Sequence, residues 1–186
     1  MFDVDGLIAE CKAAVGESEP HRAVREVLER TVAGAGATSV GDALQPKAGG
    51  LEPLYLSDDL TVLHVVWAPG MRLFPHDHRM WAAIAIYAGQ EDNTFYRRAE
   101  DDRTSVTESG GKELQVGDVL LLGKDAIHAV TNPLDRVTAA IHVYGGDFVN
   151  KERSQWGPGP LVERPYNYDV VREQFAEANA RAGLSA

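Results

Sequence analysis

Cysteine is nearly absent: Cys11 is the only one in 186 residues. A single thiol excludes an internal disulfide and a cysteine-ligated zinc site. Lysine is scarce too, and the more numerous arginines are scattered rather than clustered. With 18 basic and 28 acidic side chains the formal net charge is −10. That balance argues against a general nucleic-acid binder, because phosphate contacts need a basic surface. Long apolar runs are missing as well. The longest near-continuous stretch, Trp81 to Gly89, falls far short of the ~20 residues that span a bilayer. The opening Met1-Phe2-Asp3-Val4-Asp5 carries acid where a secretory signal carries base. Together these absences predict a cytoplasmic chain with neither nucleic acid nor a membrane as partner.

What is present is ordinary for a globular protein: 44% hydrophobic and 25% charged residues, in a length suited to one domain. Val4, Leu7, Ile8, Cys11 and Val15 form a helical stripe behind Asp3, a fair N-cap. Pro20 suits the first position of a second helix, with Val24, Val27, Leu28 and Val32 on one face and Gly34-Ala35-Gly36 as its end. Residues 38–50 read as a loop. From Leu51 the pattern changes to short runs of Val, Ile, Leu, Tyr and Trp between turn signals. Strands are predicted near 52–56, 60–67, 72–78, 81–88, 93–98, 103–108, 112–116, 119–122, 126–130 and 136–144. So many short strands mean a β-sandwich or barrel. A Gly/Pro-rich segment around Trp156 follows, either a lid over the barrel mouth or a packed tail. A last helix is predicted from about Tyr168 to Arg181, with Val170, Val171, Phe175 and Ala178 facing the barrel. The organisation expected is a helical appendage at 1–50, a barrel at 51–148, and a C-terminal lid or tail with its helix at 149–186.

Three of the six histidines form one constellation. His76 and His78 are two apart in an extended segment, so both imidazoles can face one cavity. His128 comes about fifty residues later, from a different strand. Three imidazoles suit Fe, Zn, Cu or Ni, and a catalytic metal also needs open positions. His64 alternates with Leu63 and Val65 and is expected to point away from the cavity. His21 opens a helix and is expected to be solvated, and Tyr87 to be core. Trp67 and Trp81 are expected to line the barrel, Trp81 as a wall of the pocket.

At these spacings the sequence resembles the cupin superfamily. Gly70, His76, His78 and Gly89 match its first motif, with Ala82 or Ala83 where the motif has Glu. Gly117, His128 and Asn132 match the second, with Gly123 and Asp125 replacing its Pro and Gly. The match covers roughly Leu51 to Tyr144. The resemblance implies an all-β fold: a single double-stranded β-helix (jelly-roll) barrel, here with two N-terminal helices and one C-terminal helix. It also implies a metal held by His76, His78 and His128.

Within cupins, a ligand set of histidines alone resembles thiol dioxygenases of the cysteine dioxygenase type. Those enzymes carry Ser-x-His-x-Tyr on a late strand; here the segment is Ala140-Ile141-His142-Val143-Tyr144. The resemblance implies that His142 and Tyr144 are catalytic. It implies Fe(II) as preferred cofactor, with Ni, Zn, Mn or Cu as other divalent choices, and a small thiol and O₂ as partners. A homo-oligomer is left open. Ala83 stands where some members crosslink a Cys to the Tyr, so no crosslink is expected. The early strand, Leu51 to Ser57, has no Arg for a substrate carboxylate. Arg72, with the strand parity of His76, is the first choice of replacement, ahead of Arg79, Arg97 and Arg98. The alternatives are another metal-dependent cupin enzyme (a dioxygenase cleaving C–C bonds, an isomerase or a lyase) or a non-catalytic small-molecule-binding cupin.

Overall fold

A computed structural model describes residues 1–185. Three helices come first: α1 (Val4–Val15), α2 (Pro20–Val32) and α3 (Gly36–Leu44). Asp3 caps α1 by accepting from the Gly6 amide at 3.0 Å, and Pro20 opens α2, as the sequence predicts. The third helix replaces the expected loop, so the appendage has three helices and not two. It is short and has no side-chain N-cap, and only Ala37 and Val40 are buried. Packing therefore makes this helix more than any local signal does.

Eleven strands follow: β1 (Gly50–Leu56), β2 (Thr61–Trp67), β3 (Arg72–Asp77), β4 (Ala82–Ala88), β5 (Gln90–Arg98), β6 (Val106–Gln115), β7 (Val119–Leu122), β8 (Ile127–Thr131), β9 (Thr138–Tyr144), β10 (Ser154–Trp156) and β11 (Glu163–Pro165). The helix α4 (Tyr168–Ala182) closes the chain. Strands β2 to β9 alternate between two sheets except at the β5–β6 hairpin, and the orders are β2-β9-β4-β7 and β3-β8-β5-β6. That alternation is the strand order of a jelly roll, the double-stranded β-helix of cupins. Strand β1 extends the first sheet, and β10 and β11 extend the second.

Two sequence expectations change here. The predicted strands at 103–108 and 112–116 are one strand, β6, which runs through Gly110-Gly111 opposite Phe95 and Thr94. The glycines do not turn the chain, because pairing with β5 continues on both sides of them. The Gly/Pro-rich segment contributes two short strands that extend the second sheet beyond β3, and Trp156 is fully buried with Val106 and Ile127. It is a packed tail.

The first sheet separates two cores. Its inner face carries Leu63, Val65, Trp67, Ala82, Ile84 and Ile86 into the barrel. Its outer face carries Val62, Val66, Ala83, Ala85 and Tyr87 against the helical layer, including Val24, Val27, Leu28 and Val32 of α2. Fully burying one such aliphatic side chain is worth about 1.5–3 kcal/mol, so the amphipathic face of α2 holds the layer down. Cys11 is fully buried in this outer core. Helix α4 serves the inner core: Val171, Phe175 and Ala178 are buried there, with Phe175 stacked on Trp67 at 5.4 Å. Asn179 ties α4 to the start of β1 by bonding both the amide and the carbonyl of Gly49.

Candidate metal centre

Strands β3 and β8 bring the three histidines together. His76 pairs with His128 across the ladder, and His78 follows at the end of β3. The ring centroids lie 5.0 Å (His76–His78), 4.7 Å (His76–His128) and 5.0 Å (His78–His128) apart. One nitrogen from each ring falls within 4.8 Å of the other two.

Backbone and side-chain acceptors set the tautomers. His76 Nδ1–H donates to the Phe74 carbonyl at 3.0 Å, and His128 Nδ1–H donates to Asn93 Oδ1 at 2.6 Å. Both leave the Nε2 lone pair free. His128 Nε2 and His78 Nε2 are 3.5 Å apart. Two nitrogens each about 2.0–2.1 Å from one ion, at octahedral to tetrahedral angles, lie roughly 2.8–3.4 Å apart. The donor set therefore fits a divalent transition metal.

Burial keeps the ligands neutral. It lowers the pKa of His76 to about 4. His78 and His128 are pushed well below the usual value, first by burial and then by neighbouring imidazoles. Neutral imidazole is the form that ligates.

Behind the ligands runs a polar chain of which the sequence reading has His142 and Tyr144 but not Glu91 or Asn93. Asn93 Nδ2 donates to Glu91 Oε1 at 2.9 Å. Trp67 Nε1 donates to Glu91 Oε2 at 2.7 Å, and His142 Nε2 lies 3.5 Å from that same oxygen with no other partner. His142 Nδ1 is 3.0 Å from the Tyr144 hydroxyl, and the Tyr144 ring meets His78 edge-on at 5.0 Å. Glu91 is fully buried. Burial alone would raise its pKa, but His142, Asn93 and Trp67 outweigh this and the carboxyl sits below its ordinary value. Burial pushes the Tyr144 phenol up, so it stays protonated. The signal for Glu91 and Asn93 was two polar residues two apart on the inward face of a strand; the predicted strand began at 93 and left Glu91 outside.

Leu51, Val65, Trp67, Leu73, Val130, Phe148 and Tyr166 line the remaining space with the three histidines, His142 and Tyr144; its volume is about 20 Å³, room for about one water.

The two residues expected to bind substrate are elsewhere. Arg72 is exposed at the start of β3. Leu73 pairs with Val130 and His76 with His128, so β3 spends one residue more than β8 at Phe74-Pro75. This bulge reverses the face parity and puts Leu73, not Arg72, on the cavity side with His76. Trp81 shares the parity of Ala83 and packs on the outer core. The parity of Ala82 is inward, so the motif position usually held by Glu faces the barrel and carries a methyl group. His64 points outward, bonded to Tyr87 and Glu52, as expected. Asn132 of the second motif is fully buried and binds the carbonyls of Trp67, Ala68 and Arg136. No helix among the described residues is long and apolar enough to cross a membrane.

No family model matches the chain. In fold it is similar to solved structures of an RmlC-like cupin family protein with a double-stranded β-helix fold from Methanocaldococcus jannaschii (11% identity, 56% of this chain and 86% of that one, TM-score 0.44). A cupin superfamily protein from Desulfitobacterium hafniense is also similar (17% identity, 58% and 88%, TM-score 0.45). So is an uncharacterized conserved protein with a double-stranded β-helix domain from Klebsiella pneumoniae (14% identity, 54% and 78%, TM-score 0.41). The strand order, rather than these distant likenesses, makes the barrel a double-stranded β-helix of jelly-roll topology, and its three-histidine group could hold a metal ion.

Proposed function

We propose that the chain is a mononuclear non-heme iron dioxygenase that oxidises a small thiol to a sulfinate. The observation that carries this reading is the convergence of three neutral imidazoles, without a carboxylate among them, beside the His142–Tyr144 pair. Three protein ligands leave positions open for substrate and O₂, and bound Fe(II) would supply the redox chemistry and acidify the thiol. The overall change is RS⁻ + O₂ → RSO₂⁻: both S–O bonds form, the O–O bond breaks, sulfur loses four electrons and O₂ gains them.

The chain's own work is placement and proton handling. Asn93 orients His128, and the Phe74 carbonyl orients His76. The Tyr144 hydroxyl donates to His142 Nδ1 when Nε2–H faces Glu91. His142 can then take a proton through Tyr144, with the Glu91 carboxylate compensating the charge. The apolar walls, among them Leu73, Val130 and Phe148, exclude water. No carboxylate lines the cavity to pair with an ammonium group, so free cysteine is a poor substrate. That lining also suits the second reading, C–C cleavage of an apolar metal chelator such as a diketone.

Metal analysis of anaerobically purified protein, followed by O₂ uptake with a panel of thiols and a diketone, tests the proposal. Uptake matched by sulfinate is expected. Iron-loaded protein that consumes O₂ with the diketone and with no thiol would replace the first reading by the second.

A further inference from the structure

Glu91 has no exposed surface, and the three groups that meet its carboxylate, Trp67 Nε1, Asn93 Nδ2 and His142 Nε2, belong to no Lys or Arg. A carboxylate buried without such a cation costs free energy that a glutamine of the same shape would not. Its charge therefore needs a reason.

The reason lies in direction. An ionised carboxylate accepts hydrogen bonds and donates none, and this property passes along two arms. Glu91 and Asn93 are two apart on β5 and share its inward face. Asn93 must turn its NH₂ towards Glu91 Oε1, 2.9 Å away. Its Oδ1 is then left for His128 Nδ1 at 2.6 Å, and it can only accept from an N–H there. His128 Nε2 keeps its lone pair on the side of His76 and His78. On the second arm Glu91 Oε2 faces His142 Nε2 at 3.5 Å, a nitrogen with no other partner among the described residues. The proton of His142 therefore sits on Nε2, and Nδ1 accepts from the Tyr144 hydroxyl at 3.0 Å. Every donor in both arms points towards Glu91. Two imidazoles, on β8 and β9, take opposite tautomers because one anion lies between them.

We propose that Glu91 is a positioning residue whose negative charge fixes the tautomers of both His128 and His142, so that the first presents a lone pair to the metal and the second accepts from Tyr144. This deepens the metal-centre reading above and rests on it for the use made of the two rings. Trp67 makes the two arms unequal. Its indole N–H only donates, and it meets Oε2 at 2.7 Å. In Glu91→Gln the new amide must therefore turn its oxygen to Trp67 and its NH₂ to Asn93. Asn93 answers with Oδ1, and its own NH₂ then meets His128 Nδ1. That nitrogen has to accept, and the proton moves to Nε2, the atom proposed to bind metal. The His142 arm is spared, because the amide oxygen on its side still accepts. Adding Asn93→Asp to Glu91→Gln places the carboxylate one step nearer to His128, where it accepts from both the new amide and His128 Nδ1–H.

The test reads tautomers directly. Long-range proton–nitrogen NMR on the metal-free full chain at neutral pH shows which nitrogen of each imidazole carries the proton, and competition with a chelator measures Zn(II) affinity. Wild type should show Nδ1–H on His128 and Nε2–H on His142. Glu91→Gln should move the His128 proton to Nε2, leave His142 unchanged and weaken Zn(II) binding by about 10–100-fold. The double variant, Glu91→Gln with Asn93→Asp, should return His128 to Nδ1–H and recover most of the affinity. A wild-type His128 protonated on Nε2, or a His142 protonated on Nδ1, overturns the proposal, and this measurement decides even if no variant folds. Folded Glu91→Gln that keeps Nδ1–H on His128 overturns it too, whether or not Zn(II) affinity falls, because a merely structural carboxylate would leave the tautomer alone. Wild type with the expected tautomers but no affinity for Zn(II), Co(II) or Fe(II) supports the hold of Glu91 on the two rings and removes the metal-centre reading instead.

Discussion

Asn93 holds His128 by a 2.6 Å hydrogen bond from the imidazole Nδ1 to its side-chain oxygen. The bond commits His128 to the tautomer whose Nε2 faces the other two histidines. Partners of this kind typically contribute 10–100-fold to metal affinity. Asn93→Leu should therefore weaken metal binding by about that factor while the barrel stays folded, as a chelator competition with parallel thermal melts would record. Unchanged affinity would mean that packing alone orients the ring.

The ligand set makes a sharper forecast. His76→Ala, His78→Ala and His128→Ala should each abolish stoichiometric metal binding. His64→Ala and His21→Ala should retain it, since His64 faces the helical layer and bonds Tyr87. Full occupancy in two of the first three variants would sink the centre.

Tyr144→Phe removes the hydroxyl that meets His142 at 3.0 Å but no proposed ligand atom. Turnover should fall by about 10²–10⁴-fold if that hydroxyl carries the proton, with metal content unchanged. Loss of metal in the variant would recast Tyr144 as a support of His78. Intact mass of the aerobic protein should show no two-hydrogen loss, since Cys11 lies beyond the first sheet from Tyr144.

Acid should destabilise the metal-free protein in two stages. His76 has its pKa lowered from 6.5 to about 4, and His78 and His128 move the same way. Between those pH values the unfolded chain binds more protons than the folded one, so stability falls as pH falls from about 6.5 towards 4. A second loss follows from Glu163. Arg98, bonded to it at 2.5 and 2.7 Å, holds its carboxyl down to about 2 from 4.5, so that contribution disappears as pH drops from 4.5 through 2. Bound metal should steepen the first stage, because protons compete for the same nitrogens. Urea midpoints that stay level from about pH 7 to 5 would contradict the histidine contribution.

Gly89, a glycine of the first motif, has φ +76°, and a Cβ there would lie 2.3 Å from Thr138 Oγ1 and 2.9 Å from Thr138 Cα. Gly89→Ala combines left-handed backbone strain with a clash against backbone, so it should cost about 2–5 kcal/mol of stability in denaturant titration.

That glycine shows why the barrel was readable. A turn that needs positive φ, a period of two in the strands, and histidines two apart all leave marks in one short window of sequence. The same reasoning placed His76, His78 and His128 together and turned His64 away. It failed where the decisive fact is non-local. The bulge at Phe74-Pro75 shows only in pairing with β8, and it removed Arg72 from the cavity and admitted Leu73. Trp81 was misplaced because the parity of β4 runs through Ala83 to the outer face. Glu91 is visible as a buried acid only once Trp67, Asn93 and His142 close around it. Helix α3 is short, has no side-chain N-cap and is held by packing.

The single thiol of the protein lies on the helical side of the first sheet, fully buried, with burial and then Glu10 pushing its pKa up to about 12. At neutral pH it is neither ionised nor reachable, so it cannot form mixed disulfides or take up alkylating reagent. A protein that admits a reactive sulfur compound into its barrel would thereby carry no sulfur nucleophile of its own in the compound's path. For the experimenter, colorimetric thiol counts on the native fold have no protein background, and every equivalent consumed belongs to the added compound.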